Sequence, residues 1–175
     1  MKKNTISHRH NQLLQCLTCL PRRMLSVHGN ENTTEFVLHD LCNKDCLNIK
    51  KAAYFVDNPD FNCFKGVAGF NEAESYPDNK SWDKPEHFTQ FMKQCPFNQS
   101  VRNINGTSPH LTATDKQEFM NNLAQKLSFS QPHYFTWDMK HNNHGMLIFE
   151  SNNPEEEIEE DFVQTFCILG FCPIF

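Results

Sequence analysis

The sequence predicts a single compact α+β domain, with about four or five helices around a small, mainly antiparallel sheet. Three observations lead to this fold class. The length of 175 residues suits one domain. Apolar residues recur at intervals of three and four in several segments, which is typical of amphipathic helices. Alternating apolar residues at 51–57, and a hairpin-like pair of segments near the loop at 140–145, indicate antiparallel strands.

The first part of the chain is predicted to contain a short helix, an ambiguous segment and a strand. Leucines at 13–20 recur at helical spacing, and Pro21 is expected to end that helix. Residues 35–41 fit either a helix or a strand. Residues 51–57 alternate as a strand does, and residues 64–70 fit the start of a helix or a tight backbone turn.

Two of the apolar segments have recognisable helix starts. Capping boxes that begin at Asn32 and Asp83 precede them, because a short polar side chain followed by Glu three positions later can satisfy free backbone N–H groups. The second box introduces a helix over residues 88–95 that is expected to stop at Pro96. A further helix is predicted over residues 114–127.

A hairpin and a last helix complete the predicted domain. Strands at 134–139 and 146–150 flank a polar loop, in which Gly145 is expected to supply a positive φ. The last helix is expected to use Asn153 as its N-cap and Pro154 as its first residue, where the missing N–H is harmless.

Charge is distributed unevenly along the chain. Residues 1–30 hold five basic and no acidic residues, which leaves residues 31–175 with a net charge of −10 out of a total of −5. An acidic body argues against a nucleic-acid-binding domain, which normally has a basic face. Residues 1–10 are predicted to be a disordered basic arm, and residues 11–175 are predicted to form the α+β domain.

The chain is cysteine-rich, with eight cysteines. No stretch approaches the about 20 apolar residues of a transmembrane segment. No secretory signal is recognisable, so we expect a soluble, intracellular protein of the cytoplasm. In that compartment cysteines stay reduced or bind metal rather than form structural disulfides.

A metal site of structural role is the first functional hypothesis. His39, Cys42 and Cys46 follow one another with the spacing H-x2-C-x3-C, and Cys63 comes seventeen residues later. Thiolates and imidazoles are the ligands that zinc prefers, usually four in a tetrahedron. These four residues are therefore the predicted ligands of zinc or iron. The C-x2-C pair Cys16 and Cys19 lies on the leucine-rich helix, where core packing is favoured.

A cysteine-dependent hydrolase or transferase is the alternative. Cys63 follows turn chemistry and precedes a run of small residues, so a helix N-terminus there would stabilise its thiolate. His144 at the start of a strand is the predicted base, because a nucleophilic thiol needs a neighbouring proton acceptor. Asp138 or Asn142 is expected to orient its ring.

A non-catalytic interaction module is the third hypothesis. Tyr134, Phe135 and Trp137 alternate on the predicted hairpin, so part of this aromatic set is expected to be exposed. The last residues, 171–175, are almost entirely apolar. Either surface would suit a protein partner, because exposed apolar patches commonly mark contact sites.

Overall fold

Five strands form one antiparallel sheet in the computed structural model, which describes residues 2–27, 31–77, 81–109, 113–153 and 163–172. The strands are β1 (Ile49–Asn58), β2 (Cys63–Asn71), β3 (Asn105–Gly106), β4 (His133–Asp138) and β5 (His144–Ser151). Their order is β3-β2-β1-β5-β4, so β1 is central. The predicted α+β fold with a small antiparallel sheet is confirmed.

Five α-helices lie within the described ranges and cover both faces of the sheet. They are α1 (Lys2–Ser26), α2 (Thr33–Cys42), α3 (Pro85–Gln94), α4 (Pro96–Arg102) and α5 (Ala113–Lys126), and a 3₁₀ segment follows at Thr165–Phe171. Apolar residues of α1, α2 and the 3₁₀ segment pack on one face, and those of α4 and α5 pack on the other. No helix in these ranges is both long and apolar enough to cross a membrane.

The central strand β1 supplies side chains to both cores, because consecutive residues of a strand point to opposite faces. Ala52, Tyr54 and Val56 belong to the core under α1 and α2. Ala53 and Phe55 belong to the core under α4 and α5. All five side chains are buried, so the middle of β1 is interior on both faces of the sheet.

Lys51 links the start of β1 to the end of α5. Its ammonium group donates hydrogen bonds to the carbonyls of Leu127 at 2.6 Å and Ser128 at 3.0 Å. It also lies 4.6 Å from the ring centroid of Phe97 and 4.8 Å from that of Phe129. Carbonyls at a helix C-terminus attract cations, so this contact fixes α5 on the sheet. Partial burial lowers the pKa of Lys51.

The first helix continues through Pro21, where the sequence predicted its end. Proline lacks a backbone N–H and therefore removes one hydrogen bond from a helix. Leu13 and Leu20 before the proline and Met24 after it all contact the same core. Packing on both sides of Pro21 offsets the lost bond, a tertiary effect that local pattern does not reveal.

The backbone of α1 begins at Lys2. Residues 1–10 were predicted to be a disordered basic arm, which stays a prediction. Whether this basic segment is a unit separate from the domain at 11–175 stays a prediction.

Residues 64–70 form strand β2, not the helix start or tight turn predicted after Cys63. Two glycines in this run let α4 approach the backbone of the strand. The amide of Gly66 donates a hydrogen bond of 2.7 Å to the carbonyl of Ile104. A Cβ atom at Gly66 would lie 2.0 Å from the carbonyl oxygen of Val101. The small residues therefore serve close helix–strand packing.

Both predicted capping boxes differ from the structure in detail. Asn32 is the N-cap of α2, but its side chain makes no capping hydrogen bond. Glu35 is buried and accepts a hydrogen bond of 2.7 Å from Arg102 of α4. The N-cap of α3 is Lys84 rather than Asp83. The carboxylate of Glu35 thus holds α2 against α4 instead of capping its own helix.

The predicted hairpin is confirmed, as β4 pairs with β5 in antiparallel register. The positive φ angles of its loop belong to His141 at 60° and Asn142 at 55°. Gly145 lies within β5 instead, where a Cβ atom would be 2.3 Å from the Trp137 ring. The glycine is needed because Trp137 covers it, not because the loop requires it.

Part of the predicted C-terminal helix lies outside the described residues. This applies to residues 154–162, which include the expected start at Pro154, and to residues 173–175 of the apolar tail. Phe166 and Leu169 of the 3₁₀ segment are buried in the α1–α2 core. Phe171 is 81% exposed.

Replacing Gly66 with alanine is expected to destabilise the protein by about 3 kcal/mol, because the new methyl group collides with backbone rather than with a flexible side chain. Gly106→Ala is the matched control, since a Cβ atom there meets nothing within 4 Å. That variant is expected to change the unfolding free energy by less than about 1 kcal/mol. Urea unfolding of both variants measures the difference, and equal stabilities would contradict the close α4–β2 approach.

Candidate functional site

The residues predicted as metal ligands lie at opposite ends of β1. His39 and Cys42 belong to α2, and Cys46 lies in the turn before β1. Cys63 begins β2, beyond the far end of the ten-residue β1. Such a strand extends about 30 Å. Cys63 therefore does not join the other three side chains, and in the described part of the chain no three His, Cys, Asp or Glu residues are placed to hold a metal. Bound zinc or iron stays a prediction.

His39 is buried in an aromatic environment. Its Nε2 atom accepts a hydrogen bond of 3.3 Å from the backbone N–H of Tyr76. Its ring contacts those of Phe70 and Phe88 edge-on, with centroids 5.5 and 5.2 Å away. Burial lowers the pKa of His39 to about 4. The lone pair that a metal would need is already engaged, so this histidine packs as a neutral ring.

The predicted catalytic pair is divided by the sheet. Cys63 pairs with Asn58 on β1, whereas His144 pairs with the preceding residue, Asp57. Consecutive residues on a strand face opposite sides, so the side chains of Cys63 and His144 project from opposite faces. Cys63 is exposed and begins a strand, which removes the helix N-terminus expected to stabilise its thiolate. The structure does not bring this pair together.

The ring of His144 has a carboxylate partner. The cysteine-hydrolase hypothesis expected either Asp138 or Asn142 to orient this ring. Its Nδ1 atom lies 2.9 Å from Oδ1 of Asp138, the residue opposite it on β4. Asn142 contacts Asp60 in the β1–β2 turn instead. Asp138 thus fixes the orientation of a histidine that Cys63 does not reach.

The thiols that do meet are those of Cys16 and Cys46. Cys16 lies on α1, Cys46 lies in the turn after α2, and the two thiols are close enough for each to shift the pKa of the other. They line an open cleft of about 510 Å³, here named the thiol cleft. Its other lining residues are polar except for one further thiol: Gln15, Cys19, Arg23, Asp40, Asn43 and Asp45.

The two thiols of the cleft are electrostatically unequal. The hydrogen bond from Cys46 lowers the pKa of Cys16, although burial and the carboxylates of Asp40 and Asp45 oppose this shift. The same hydrogen bond, together with burial, raises the pKa of Cys46. Arg23 adds positive charge beside Cys16, although its guanidinium also forms an ion pair of 2.6 Å with Asp40. Cys16 is therefore the thiol that ionises first.

The sequence predicted core packing for Cys16 and Cys19 rather than a functional site. The signal for a site was the C-x2-C spacing, which places both cysteines one turn apart on a helix. Cys16 is half-buried and packs against the α1–α2 core, as expected, whereas Cys19 is exposed. Their proximity to Cys46 depends on how α1 crosses the end of α2, and sequence spacing does not encode that.

The surfaces proposed for a protein partner are largely covered in the described residues. Phe135 and Trp137 are half-buried and pack on the α1–α2 core, and Tyr134 packs on the other core. Phe171 is exposed at the start of the apolar tail. A protein partner at either surface stays a prediction.

Comparisons with protein-family models, with curated proteins and with solved structures find no match to this chain.

Acid is expected to destabilise the protein through His39. The folded state holds this ring neutral down to about pH 4, whereas the unfolded chain protonates it near 6.5. The neutral ring therefore contributes its full stabilisation above pH 6.5, and this contribution is lost as the pH falls towards 4. The free energy of unfolding should decrease by about 3 kcal/mol over this range. Urea unfolding across this range measures it.

His39→Gln keeps a hydrogen-bond acceptor for Tyr76 but does not titrate, so its stability should fall less steeply with acid. His87→Gln, at an exposed position on α3, should behave like the parent protein. Identical pH profiles for all three proteins would show that His39 titrates normally.

Proposed function

We propose that the protein carries out thiol–disulfide exchange through Cys16 and Cys46. The observation that carries this proposal is that these two thiols line the same solvent-open thiol cleft and shift each other's pKa. Two neighbouring thiols of unequal acidity form the minimal apparatus for this chemistry, because one attacks and the other resolves.

The environments of the two sulfurs support distinct roles. Cys16 is half-buried and has the lowered pKa, and the thiolate is the reactive form of cysteine. Cys46 is buried behind it and has the raised pKa. Cys16 is accordingly the attacking thiol, and Cys46 is the resolving thiol. Cys42 is fully buried with a raised pKa, so it is inert by the same criteria.

The exchange needs a disulfide as co-substrate. The Cys16 thiolate attacks one sulfur of a small disulfide, a bond forms between them, and the first small thiolate leaves. Cys46 then loses its proton to solvent and attacks the Cys16 sulfur of the mixed disulfide. The Cys16–Cys46 bond forms and the second small thiolate leaves. The protein gives up two electrons and two protons, and the small disulfide becomes two thiols.

The lining of the thiol cleft favours a hydrophilic co-substrate. Arg23, Asp45 and Gln15 present charges of both signs and an amide, and the volume of about 510 Å³ is within the range of small-molecule sites. A peptide-like disulfide that carries amino and carboxylate groups matches these side chains better than an apolar one. Oxidised glutathione has this chemistry and serves as the probe.

Oxidised glutathione is expected to convert the reduced protein to a form lighter by two hydrogen atoms, with one bond between Cys16 and Cys46. Mass spectrometry of the intact chain and of its peptides measures this. Cys16→Ser and Cys46→Ser should abolish the internal bond. Cys19→Ser, one turn away on the same helix, should leave it unchanged. The bond closes a loop of about 30 residues and should stabilise the protein by about 4 kcal/mol, an estimate from loop entropy.

Two results would contradict thiol exchange. The first is glutathione attached to exposed Cys19 or Cys63 with no bond between Cys16 and Cys46. The second is tightly held zinc or iron in the purified protein that protects Cys16 and Cys46 from oxidation, which would favour the metal hypothesis at different residues from those predicted.

A further inference from the structure

Three titratable side chains stand in a row across neighbouring strands at one end of the sheet. Asp57 on β1 is directly opposite His144 on β5, and His144 is directly opposite Asp138 on β4. Directly paired residues share a face of the sheet. Phe64, which pairs with Asp57 from β2, belongs to the α4–α5 core, so the row faces α5. We name it the Asp–His–Asp row.

One carboxylate oxygen of Asp57, Oδ1, is buried and has no hydrogen-bond partner in the part of the chain that the structure describes. The residue is only 5% exposed. A buried carboxylate oxygen without a donor or a cation is costly. Beside it is a cavity of about 10 Å³, lined by Asp57, Lys116, Thr136 and His144 among others. That volume holds one water molecule or one ion.

The contact with Asp138 prepares His144 as a metal ligand. A carboxylate 2.9 Å from Nδ1 keeps a proton on that nitrogen. In the neutral ring this leaves the lone pair on Nε2. Metal-binding histidines commonly donate their other ring N–H to a carboxylate in this way, which fixes the tautomer and raises the basicity of the ligand.

We propose that Asp57 and His144 bind one divalent transition-metal ion in this cavity, with Asp138 as the carboxylate that orients the imidazole. An imidazole nitrogen and a carboxylate oxygen are suitable ligands for such ions. No third His, Cys, Asp or Glu among the described residues is placed to join them. The cavity holds only the ion, so water completes the coordination from the solvent side, where the His144 side chain is 29% exposed. Thr136 is the neighbouring hydroxyl in the cavity lining.

Lys116 is the alternative partner for the carboxylate of Asp57. It extends from α5 into the lining of the same cavity, so its ammonium group competes with a metal ion for the carboxylate of Asp57. Under the proposal, Lys116→Gln removes the competing positive charge and tightens metal binding. If Lys116 is instead the natural partner of Asp57, the same variant loses stability and gains no affinity.

Cobalt(II) titration of the full-length reduced protein tests the site, because the visible and near-ultraviolet spectrum distinguishes ligand types. We expect weak visible bands of oxygen and nitrogen ligation, without the intense thiolate-to-cobalt band that binding in the thiol cleft would give. His144→Gln and Asp57→Asn should lose this signal. Asp138→Asn should weaken binding by about 10- to 100-fold. His141→Gln, in the loop of the same hairpin, is the matched control and should bind normally.

Circular dichroism of each variant checks folding. If Asp57→Asn or His144→Gln fails to fold, the other two variants still test the site. Cobalt should bind more weakly to Asp138→Asn and more tightly to Lys116→Gln. Unchanged cobalt affinity across these variants would overturn the proposal, as would a signal that is entirely thiolate-based and is lost in Cys16→Ser. Lower stability of Lys116→Gln with unaltered affinity would assign Asp57 to the lysine. None of these outcomes depends on disulfide formation between Cys16 and Cys46.

Discussion

The central strand β1, whose residues 52–57 are buried, is the constraint on which the rest of the molecule depends. Because alternate residues of β1 enter two different cores, a shift of one residue would exchange every side chain between them. Tyr54 would leave the α1–α2 side, where its ring stacks on Trp137 at 5.5 Å, and Phe55 would leave the α4–α5 side. The register of β1 with β5 also brings Asp57 opposite His144. Core packing and site geometry are thus set by the same pairing.

The two candidate sites rest on different parts of this architecture. The thiol cleft depends on helix packing, because Cys16 meets Cys46 only where α1 crosses the end of α2. The Asp–His–Asp row depends on strand register and on the α5 side of the sheet. Disturbing α1 should therefore affect the thiols without moving the row. The two candidate sites therefore lie on opposite sides of one sheet.

Local patterns predicted the elements well and the sites poorly, for a physical reason. Alternation identified β1, and turn chemistry identified the β4–β5 hairpin, since both signals lie within a few residues. The prediction that α1 ends at Pro21 was wrong, because packing of α1 on the core outweighs one lost hydrogen bond. Spacing along the chain suggested that Cys63 meets the three other predicted metal ligands, but the ten-residue strand β1 separates it from them. The pairing of Asp138 with His144 was anticipated because hairpin geometry is local, whereas Asp57 is joined to them by a long-range register.

The two edges of the sheet differ in how well they are covered, and this affects self-association. On the β2 side, the amide of Gly66 is bonded to Ile104, and that of Gly69 is bonded to the side chain of Asn98 at 2.8 Å. Helix α4 and its following turn therefore occupy that edge, and the short β3 adds to the cover. On the other side, β4 is the outermost strand within the described residues. Edge strands recruit further strands from neighbouring molecules. Self-association of partly unfolded chains should consequently begin at β4, where the exposed polar side chains of His133 and Asp138 act as gatekeepers against it.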